Sequence, residues 1–313
     1  MPTGFFMSRS YESVDDLQQM QDLLMQGRSR TGDWCYPHVG DLIWAFLIVS
    51  SHLNPREQIR LWHDGEGRLA GYAILGEDPS IDWQVLPDYE RSGIETEAMA
   101  WAERQMAGLR DRDADRWRAA LRSGARRDDD QRIAFLERHG FRRGGYVEVN
   151  MLRSLEEPIP DAAVPAEFQL RAVAADEQAA DRAAAEREVW HPWPDGNVSE
   201  DDYRRLMRLP GYDRDLDLVA VAPDGAVAAY ANCWIDPINR IGDFGPVGAR
   251  ATYRRQGLTR AVLLEGFRRM KAHRMDRACV STGEANTPAR RLYESVGFGV
   301  VNKHLEFVQP AVT

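Results

Sequence analysis

The sequence predicts an α/β (α+β) protein in which one fold occurs twice, each copy a mixed, mostly antiparallel sheet flanked by helices. Two observations support this prediction. The two halves of the chain align with each other, and a proline-rich connector separates them. The chain has 313 residues, a typical length for two domains that each bury a core.

The connector is residues 155–168, LEEPIPDAAVPAEF, and it contains three prolines. Proline fixes φ and lacks a backbone N–H, so this segment is predicted to be extended rather than helical or part of a sheet. The predicted domains are therefore 1–155 and 168–313, with a linker over 156–167.

The repeat is clearest in three segments of each half. The sequences DLVAVAPDGAVAAYANCWI and IRLWHDGEGRLAGYAIL each predict a strand, a tight turn and a second strand. A loop that opens a helix follows, with Gly257 matching Gly93, and later Gly297 matches Gly140. This offset indicates duplication of a unit of about 160 residues. Each copy is predicted to run helices, hairpin, strand, helix, strand, helix, strand.

Composition and charge exclude several classes of protein. The formal net charge of -9 argues against a general nucleic-acid binder. Cys35, Cys233 and Cys279 form no CxxC pattern, so we expect neither a disulfide framework nor a metal site. We expect a cytoplasmic protein without a membrane partner, because the start lacks a signal-peptide pattern and the longest apolar stretch, 42–49, is short.

Residues 247–260, VGARATYRRQGLTR, end a predicted strand and enter an amphipathic helix. The N-terminus of a helix carries unpaired N–H groups and a partial positive charge, and Gly257 allows the backbone to approach a phosphate closely. Arg254, Arg255 and Arg260 add positive charge. Taken alone, the loop fits a phosphate cradle and an arginine-rich surface turn equally well.

Two segments carry a family resemblance. The loop residues 254–259, RRQGLT, resemble the R/Q-x-x-G-x-G/A acyl-CoA loop of the GNAT (GCN5-related N-acetyltransferase) superfamily, with Thr259 in the last position. The segment 286–298, NTPARRLYESVGF, resembles the N-x-x-A-x-x-L-Y-x-x-x-G-F signature of the same superfamily. The resemblance covers 168–313 well and the first half only in outline.

The resemblance implies an acetyl-CoA-dependent N-acetyltransferase domain over 168–313. It implies a strand splayed by a bulge, whose backbone pairs with pantetheine. It also implies that Asn286 steadies pantetheine and that Tyr293 protonates the departing thiolate. Without the resemblance, a half-buried packing role is favoured for Tyr293. The implied cofactor-binding residues are Val247, Gly248, Ala249, Arg254, Arg255, Gln256, Gly257, Leu258, Thr259, Arg260, Asn286, Ala289 and Tyr293.

Acetylation of an amine also requires a base, and Asp243 is the candidate. It lies on the strand before the loop, at about the family distance from Arg254. Simple alternation places Asp243, Gly245 and Val247 on one face of that strand. A turn aspartate beside Gly242 is an equally good interpretation.

The candidate acceptor pocket is the aromatic segment around Trp190, His191 and Trp193, with Trp234 as a further candidate. Prolines on both sides of Trp193 also suit a packed loop whose aromatic side chains fill the core. The expected acceptor is a primary amine of a small molecule or peptide. The negative net charge favours a cationic one.

The first half lacks the same chemistry. Glu90 and Glu95 replace the loop arginine and threonine, and these carboxylates would repel a pyrophosphate. Leu136 replaces the tyrosine and Asp129 replaces the asparagine. Residues 1–155 are therefore predicted to be a degenerate GNAT-like domain without CoA binding or catalysis. Such a domain would stabilise the second domain or shape its acceptor cleft.

Two alternatives remain at this stage. The tandem arrangement also resembles mycothiol synthases, which acetylate a cysteinyl amino-sugar conjugate. From another class, the chain fits a non-catalytic CoA-binding sensor or scaffold. The presence of both Tyr293 and Asn286 argues against the second alternative, because a sensor has no need of a general acid.

Overall fold

The structure is a computed structural model that describes residues 6–32, 34–76, 78–112, 117, 120–191 and 197–310. Its strands in this part of the chain are β1 (Met7–Ser10), β2 (Ile59–His63), β3 (Leu69–Leu75), β4 (Ile81–Val85), β5 (Leu121–Arg126), β6 (Arg142–Ser154), β7 (Gln169–Ala172), β8 (Asp217–Val221), β9 (Val227–Asp236), β10 (Ile241–Ala249), β11 (Arg277–Gly283) and β12 (Gly299–Gln309). Its α-helices are α1 (Val14–Thr31), α2 (Val39–His52), α3 (Pro55–Gln58), α4 (Ile94–Arg112), α5 (Asp130–Arg138), α6 (Ala179–Trp190), α7 (Glu200–Leu206), α8 (Leu258–Ala272) and α9 (Thr287–Ser295). None of the described helices has the length and apolar character that crossing a membrane requires.

The chain forms two compact units, and neither is continuous in sequence. The first unit comprises Met1–Pro37, His52–Glu148 and Asn302–Thr313. The second unit comprises His38–Ser51 and Val149–Val301. Helix α2 therefore belongs almost entirely to the second unit, although it lies early in the sequence.

The first unit is built on a four-stranded antiparallel sheet in the order β1-β2-β3-β4. Helices α1 and α4 contact this sheet. Strand β5 pairs antiparallel with the C-terminal part of β12, where Leu121 lies opposite Gln309. The core of this unit is rich in aromatic side chains, among them Trp62, Trp83, Trp101, Trp117, Phe141 and Phe307.

The second unit is built on strands in the order β7-β8-β9-β10-β11, followed by its part of β6. Strands β7 to β10 are antiparallel to their neighbours, whereas β10 and β11 are parallel. Gly225, in the turn predicted between β8 and β9, has a left-handed φ of 87°. The mixed, mostly antiparallel sheet that the sequence predicts is confirmed.

Helices cover both faces of this second sheet. On one face, Leu263, Phe267 and Met270 of α8 are buried against a core that includes Phe244, as their helical spacing predicts. On the other face, α2, α6 and α7 pack around Trp234. The sheet is therefore the middle layer of this unit.

Each half of the sequence begins with a strand that the sequence analysis did not predict. Strand β1 pairs with β2, and β7 pairs with β8. Both strands have four residues, all of them half-buried or exposed, so they lack the alternation that marks a half-buried strand. The predicted order, which began with helices, was wrong here because backbone pairing rather than side-chain burial holds these edge strands.

Residues 155–168 contain no helix or strand, which confirms the predicted extended connector. The connector nevertheless packs on the second unit. Leu155 N–H donates to Asp276 C=O at 2.7 Å, and Ile159 and Val164 lie against the core. The division into functional domains that was drawn from this connector stays a prediction.

Candidate active site

Strand β10 separates from β11 partway along its length. The two strands pair from Ile241 opposite Arg277 to Asp243 opposite Cys279. Both strands continue beyond this point, β10 as far as Ala249 and β11 as far as Gly283. All of these residues are described, and none of them adds a further β10–β11 pair. Beyond Asp243, one backbone edge of β10 is therefore not covered by β11, and its N–H and C=O groups are candidate partners of a ligand.

A bulge reshapes the same part of β10. Its register against β9 shifts between Phe244 and Val247, so β10 carries an extra residue at this point. Trp234 Nε1 donates a hydrogen bond of 2.5 Å to Gly245 O inside the bulge. The bulge that the resemblance implied is present, and the hydrogen bond from the Trp234 indole N–H stabilises it.

The bulge changes which side chains of β10 share a face. Asp243 lies opposite Trp234, whereas Val247 packs against the core on the α8 side. The prediction that Asp243, Gly245 and Val247 share one face was therefore wrong for Val247. The extra residue reverses the alternation beyond the bulge.

The loop after β10 leads into α8 with its backbone N–H groups uncovered. Arg255 and Gly257 have left-handed φ angles of 67° and 80°. Gly257 is the N-cap of α8, and no side chain caps this helix. A Cβ at Gly257 would meet nothing within 4 Å. Open space thus lies in front of a helix N-terminus, which is a favourable place for an anion.

The loop and the start of α8 also carry positive charge. Arg254 and Arg255 are exposed, and Arg260 is half-buried in the first turn of α8. Arg254 Nε donates to Ala249 O at 3.1 Å, so this side chain folds back along the end of β10. Gln256 is exposed beside them. Three arginines therefore lie in the loop and first turn of a helix that has no side-chain cap.

An acyl-CoA cofactor fits this combination. The open edge of β10 at Val247, Gly248 and Ala249 offers donors and acceptors to an amide-containing arm, and the loop offers donors to phosphates. Leu258 is buried, so only its backbone faces that space. A Cβ at Gly248 would lie 2.5 Å from the phenol oxygen of Tyr230, so only glycine fits there without rearrangement.

Helix α9 carries the second predicted motif. It begins after Asn286 and is followed by Gly297, whose φ is 95°, as the sequence predicts. Asn286 caps the helix: its Oδ1 accepts a 3.3 Å hydrogen bond from Ala289 N–H, and its Nδ2 donates to Thr282 Oγ1 at 3.3 Å. Its contact with pantetheine stays a prediction.

Tyr293 is buried on the inner face of α9, with 6% of its surface exposed. Burial raises the pKa of Tyr293 above its ordinary value, and the negative charge of Asp243 raises it further. The phenol therefore keeps its proton around neutral pH, which is the form that a general acid requires.

Asp243 is buried where β10 and β11 separate, with 5% of its surface exposed. Its Oδ1 lies 3.4 Å from Cys279 Sγ, which donates to it. The negative charge of Asp243 also raises the pKa of Tyr293, so the carboxylate and the phenol interact electrostatically. Cys279 was not predicted as a site residue, and a single cysteine in a strand gives no signal for it.

The predicted acceptor residues differ in their surroundings. Trp190 is the last residue of α6 and is 36% exposed, and His191 beside it is exposed. Trp193 lies outside the described residues. Trp234 is only 1% exposed and already uses its N–H in the bulge, so it supports the site from behind. The assignment of these residues to an acceptor pocket stays a prediction.

Buried Arg182 ties α6 to the sheet behind Trp190. It is 0% exposed, and it donates to Glu186 Oε2 at 2.8 Å and to Asn232 Oδ1 at 2.7 Å. Its guanidinium carbon lies 3.6 Å from the centre of the Tyr230 ring. Burial raises the pKa of Glu186, and the charge of Arg182 opposes that rise. This network fixes the helix that ends at Trp190.

Residues 38–40 also pack against the strands that form this site. His38 is buried, its Nδ1 accepts from Gly40 N–H at 3.1 Å, and its Nε2 lies 3.3 Å from Ile241 O. The first bond makes Nδ1 an acceptor, so Nε2 carries the proton and donates to Ile241 O. A Cβ at Gly40 would lie 2.3 Å from the Trp234 ring.

The first unit contains the matching loop with a different content. Arg91 and Gly93 have left-handed φ angles of 62° and 101°, so the backbone follows the same course. Glu95 Oε1 accepts a 3.3 Å hydrogen bond from Arg91 N–H, and a carboxylate thus takes a loop donor. Burial raises the pKa of Glu90, and Glu95 and Asp129 raise it further.

The matching helix α5 of the first unit lacks the phenol. Leu136 stands at the tyrosine position and is 0% exposed, so it only packs. Asp129 caps α5 by accepting a 2.9 Å hydrogen bond from Arg132 N–H, as Asn286 caps α9. The capping geometry is shared, whereas the phenol is missing from α5.

Comparison with known proteins agrees with these features. The family model of the acetyltransferase (GNAT) family matches residues 181–298. A mycothiol acetyltransferase of Kineococcus radiotolerans is 31% identical over an alignment of 245 residues, and the match covers 74% of this chain and 75% of the relative. A mycothiol acetyltransferase of Acidothermus cellulolyticus is 28% identical over 259 residues, covering 76% of this chain and 75% of the relative.

Solved structures show the same fold over nearly the whole chain. A tandem GNAT protein from the clavulanic acid biosynthesis pathway has a TM-score of 0.67 at 18% identity and covers 99% of both chains. A GCN5-related N-acetyltransferase from Sphaerobacter thermophilus has a TM-score of 0.62 at 21% identity and covers 98% of this chain and 97% of that one. The tandem architecture predicted from the internal repeat is confirmed.

Proposed function

The chain belongs to the GNAT acetyltransferase family and is an N-acyltransferase, and we propose that its second unit transfers an acetyl group from acetyl-CoA to a primary amine. The single observation that carries this proposal is the separation of β10 from β11 beside Asp243. We infer that this gap connects the uncapped N-terminus of α8 with the buried phenol of Tyr293. A binding module needs the first feature but has no use for the second.

The residues of this unit have distinct roles in the proposed reaction. The β10 edge and the start of α8 bind acetyl-CoA, which supplies the acetyl group as an activated thioester. Asp243 accepts a proton from the attacking amine, and Tyr293 Oη donates a proton to the leaving sulfur. Proton return from Asp243 to Tyr293 restores both groups, so the products are an N-acetyl amine and free CoA.

Alignment and exclusion of water supply much of the rate enhancement in this proposal. Holding an amine and a thioester in contact replaces a bimolecular encounter. The burial of both Tyr293 and Asp243 keeps the proton donor and acceptor in a medium where their charges act strongly. The Trp234 hydrogen bond to Gly245 O holds the bulge, and with it the strand edge that would position the thioester.

We infer that the acceptor is a small molecule, and a cysteinyl amino sugar is the first candidate. The mycothiol acetyltransferases cover about three quarters of this chain, so the match extends beyond the second half. The degenerate loop of the first unit does not exclude this substrate, because only the second unit is proposed to catalyse the transfer.

The test is a reaction of the full chain with acetyl-CoA and a panel of amines. The panel contains S-methylcysteinyl-glucosamine, glucosamine, spermidine and a lysine peptide, and the thiol is blocked to prevent direct thioester exchange. Free CoA is measured by chromatography and the acetylated amine by mass spectrometry. We expect equal amounts of both products from at least one amine, and almost none with Tyr293→Phe.

Binding of acetyl-CoA separates the possible failures. If calorimetry shows acetyl-CoA binding but no amine releases CoA, the sensor alternative replaces the enzyme proposal. If acetyl-CoA does not bind, the proposed cofactor site is wrong. An amine that reacts equally well with wild type and Tyr293→Phe would contradict the role of the phenol.

A further inference from the structure

Arg153 is a buried cation in the part of β6 that belongs to the second unit. Its surface is 5% exposed, and its hydrogen bonds go to carbonyl oxygens rather than to a carboxylate. Nη1 donates to Val296 O, and Nη2 donates to Pro158 O at 2.9 Å. Burial lowers the pKa of Arg153 from its ordinary value. A buried charge is costly without compensation, so its contacts require an explanation.

The first contact of Arg153 is at the end of α9. Val296 is the C-cap residue of this helix, where carbonyl groups lack helical partners and a cation is favourable. The N–H groups of Val296 and Phe298 both donate to Tyr293 O at 3.1 Å. Arg153 therefore binds the turn after α9, whose N–H groups donate to the backbone carbonyl of Tyr293.

A second route leads to the same tyrosine through ring contacts. The guanidinium carbon of Arg153 lies 4.5 Å from the centre of the Phe267 ring. Phe267 lies 5.3 Å from Phe298, and Phe298 lies 6.0 Å from Tyr293, measured between ring centres. Both the turn and the ring packing thus depend on where the arginine holds the end of α9.

The first unit has the same contact in neutral form. Gln309 Nε2 donates at 2.9 Å to the carbonyl of His139, which is the C-cap residue of α5. This helix carries Leu136 where α9 carries Tyr293. A bond from a neighbouring strand to the helix end is therefore part of the fold. The buried cation occurs in the unit whose helix bears the phenol.

We propose that Arg153 is a positioning residue that holds α9 so that Tyr293 Oη reaches the leaving sulfur. This inference rests on the proposed function, since it assigns a task to the general acid. Loss of the arginine lets the phenol shift while the β10 edge and the α8 loop stay intact. The rate of transfer then falls and the affinity for acetyl-CoA does not, because small misplacements of a reacting group are costly.

The test compares Arg153→Gln, which copies the neutral contact of the first unit, with Arg153→Met. Gln309→Ala is the matched control, because it breaks the equivalent bond in the other unit. We expect kcat to fall about tenfold in Arg153→Gln and further in Arg153→Met, with an unchanged acetyl-CoA Kd by calorimetry. Gln309→Ala is expected to keep the wild-type kcat. An equal loss in Gln309→Ala, or a weaker Kd in step with kcat, would overturn the proposal.

A double variant distinguishes positioning from general support of the fold. If Arg153 acts through Tyr293, then Arg153→Met/Tyr293→Phe is no slower than Tyr293→Phe alone, because coupled residues are not additive. If the rate losses of the two single variants multiply in the double variant, the result contradicts the proposal.

One readout does not need turnover. Alkaline ultraviolet titration of each protein, minus its Tyr293→Phe counterpart, reports the pKa of Tyr293. We expect Arg153→Met to lower that pKa towards its ordinary value, since a displaced phenol is less buried. An unchanged pKa would overturn the inference, whereas absence of transfer in wild type would overturn only the proposed function.

Discussion

The loops before α4 and α8 share a backbone conformation and differ in the side chains that they carry. In both, an arginine with left-handed φ is followed by a glycine with left-handed φ. In the first unit, the carboxylate of Glu95 accepts from the loop N–H of Arg91. In the second unit, no side chain caps α8. A Cβ at either glycine, Gly93 or Gly257, would meet nothing within 4 Å.

From this difference we expect that loop geometry alone does not make an anion site. Both loops provide N–H donors at a helix N-terminus, which favours any nearby negative charge. In the first unit, the Glu95 carboxylate already meets this preference. Glu90 adds further negative charge. In the second unit no side chain caps α8, and the loop carries arginines instead of glutamates. We therefore expect the sign and origin of the charge to decide which loop accepts a ligand.

The largest expected effect comes from placing a carboxylate in the second loop. We expect wild type to bind one acetyl-CoA per chain, and Gly257→Glu to weaken binding about a hundredfold or more. Like charges 4 Å apart cost about 4 kcal/mol near a protein surface. Calorimetric titration of both proteins measures this change.

Two controls separate charge from backbone strain. Gly257→Asn keeps a residue that tolerates left-handed φ, and it is expected to bind far better than Gly257→Glu. Gly93→Glu places the same charge in the first unit and is expected to leave acetyl-CoA binding unchanged. Two binding sites in wild type, or weaker binding in Gly93→Glu, would contradict the comparison.

Removal of the phenol is the next largest effect. Tyr293→Phe is expected to lower kcat by about 10² to 10³, the usual contribution of a general acid, with little change in acetyl-CoA Kd. Tyr89→Phe is the control, since it removes a hydroxyl that bonds Asp64 in the first unit. Equal activity of both variants would show that the phenol donates no proton.

The pH dependence of Tyr293 follows from its raised pKa. The phenol stays protonated through its ordinary pKa of about 10, so its loss of a proton does not limit wild type there. The charge of Asp243 raises this pKa, so Asp243→Asn is expected to lower it. A phenol titration that moves to higher pH in Asp243→Asn would contradict this assignment.

Packing of α2 in the second unit gives an intermediate effect. Gly40→Ala is expected to lower the free energy of unfolding by about 1–3 kcal/mol, because its Cβ would overlap the Trp234 ring. In the first unit, Gly108 lies within α4 and has nothing near its Cβ position, so Gly108→Ala is expected to add about 0.5–1 kcal/mol. Urea unfolding measures both, and a stabilising Gly40→Ala would contradict the packing argument.

The smallest expected effect is at Glu90. Its folded-state pKa is raised, so its stabilising contribution is complete below the unfolded pKa and is lost as pH rises through the folded value. Glu90→Gln is therefore expected to raise stability at neutral pH and to be neutral in acid. The gain is below about 0.5 kcal/mol because the side chain is exposed. A gain that persists unchanged in 1 M salt would contradict the electrostatic cause.

The sequence by itself determined the repeat, the sheet type, the connector and both ends of α9. These features depend on local chemistry: the proline content of 155–168, the helical spacing of Leu263, Phe267 and Met270, and the glycine after α9. Apart from the repeat, which emerges from a comparison of the two halves, each signal lies within a few residues along the chain. The candidate cofactor loop and Tyr293 were accessible for the same reason.

Only the tertiary structure decided which distant residues complete the second unit. His38 contacts Ile241 across 203 positions of sequence, and Arg153 contacts Val296 across 143. Nothing in the local pattern marks such pairs, because a buried histidine and a strand arginine look ordinary in sequence. The bulge could not be predicted from a period-two pattern either, because an extra residue in β10 is defined only by its pairing with β9.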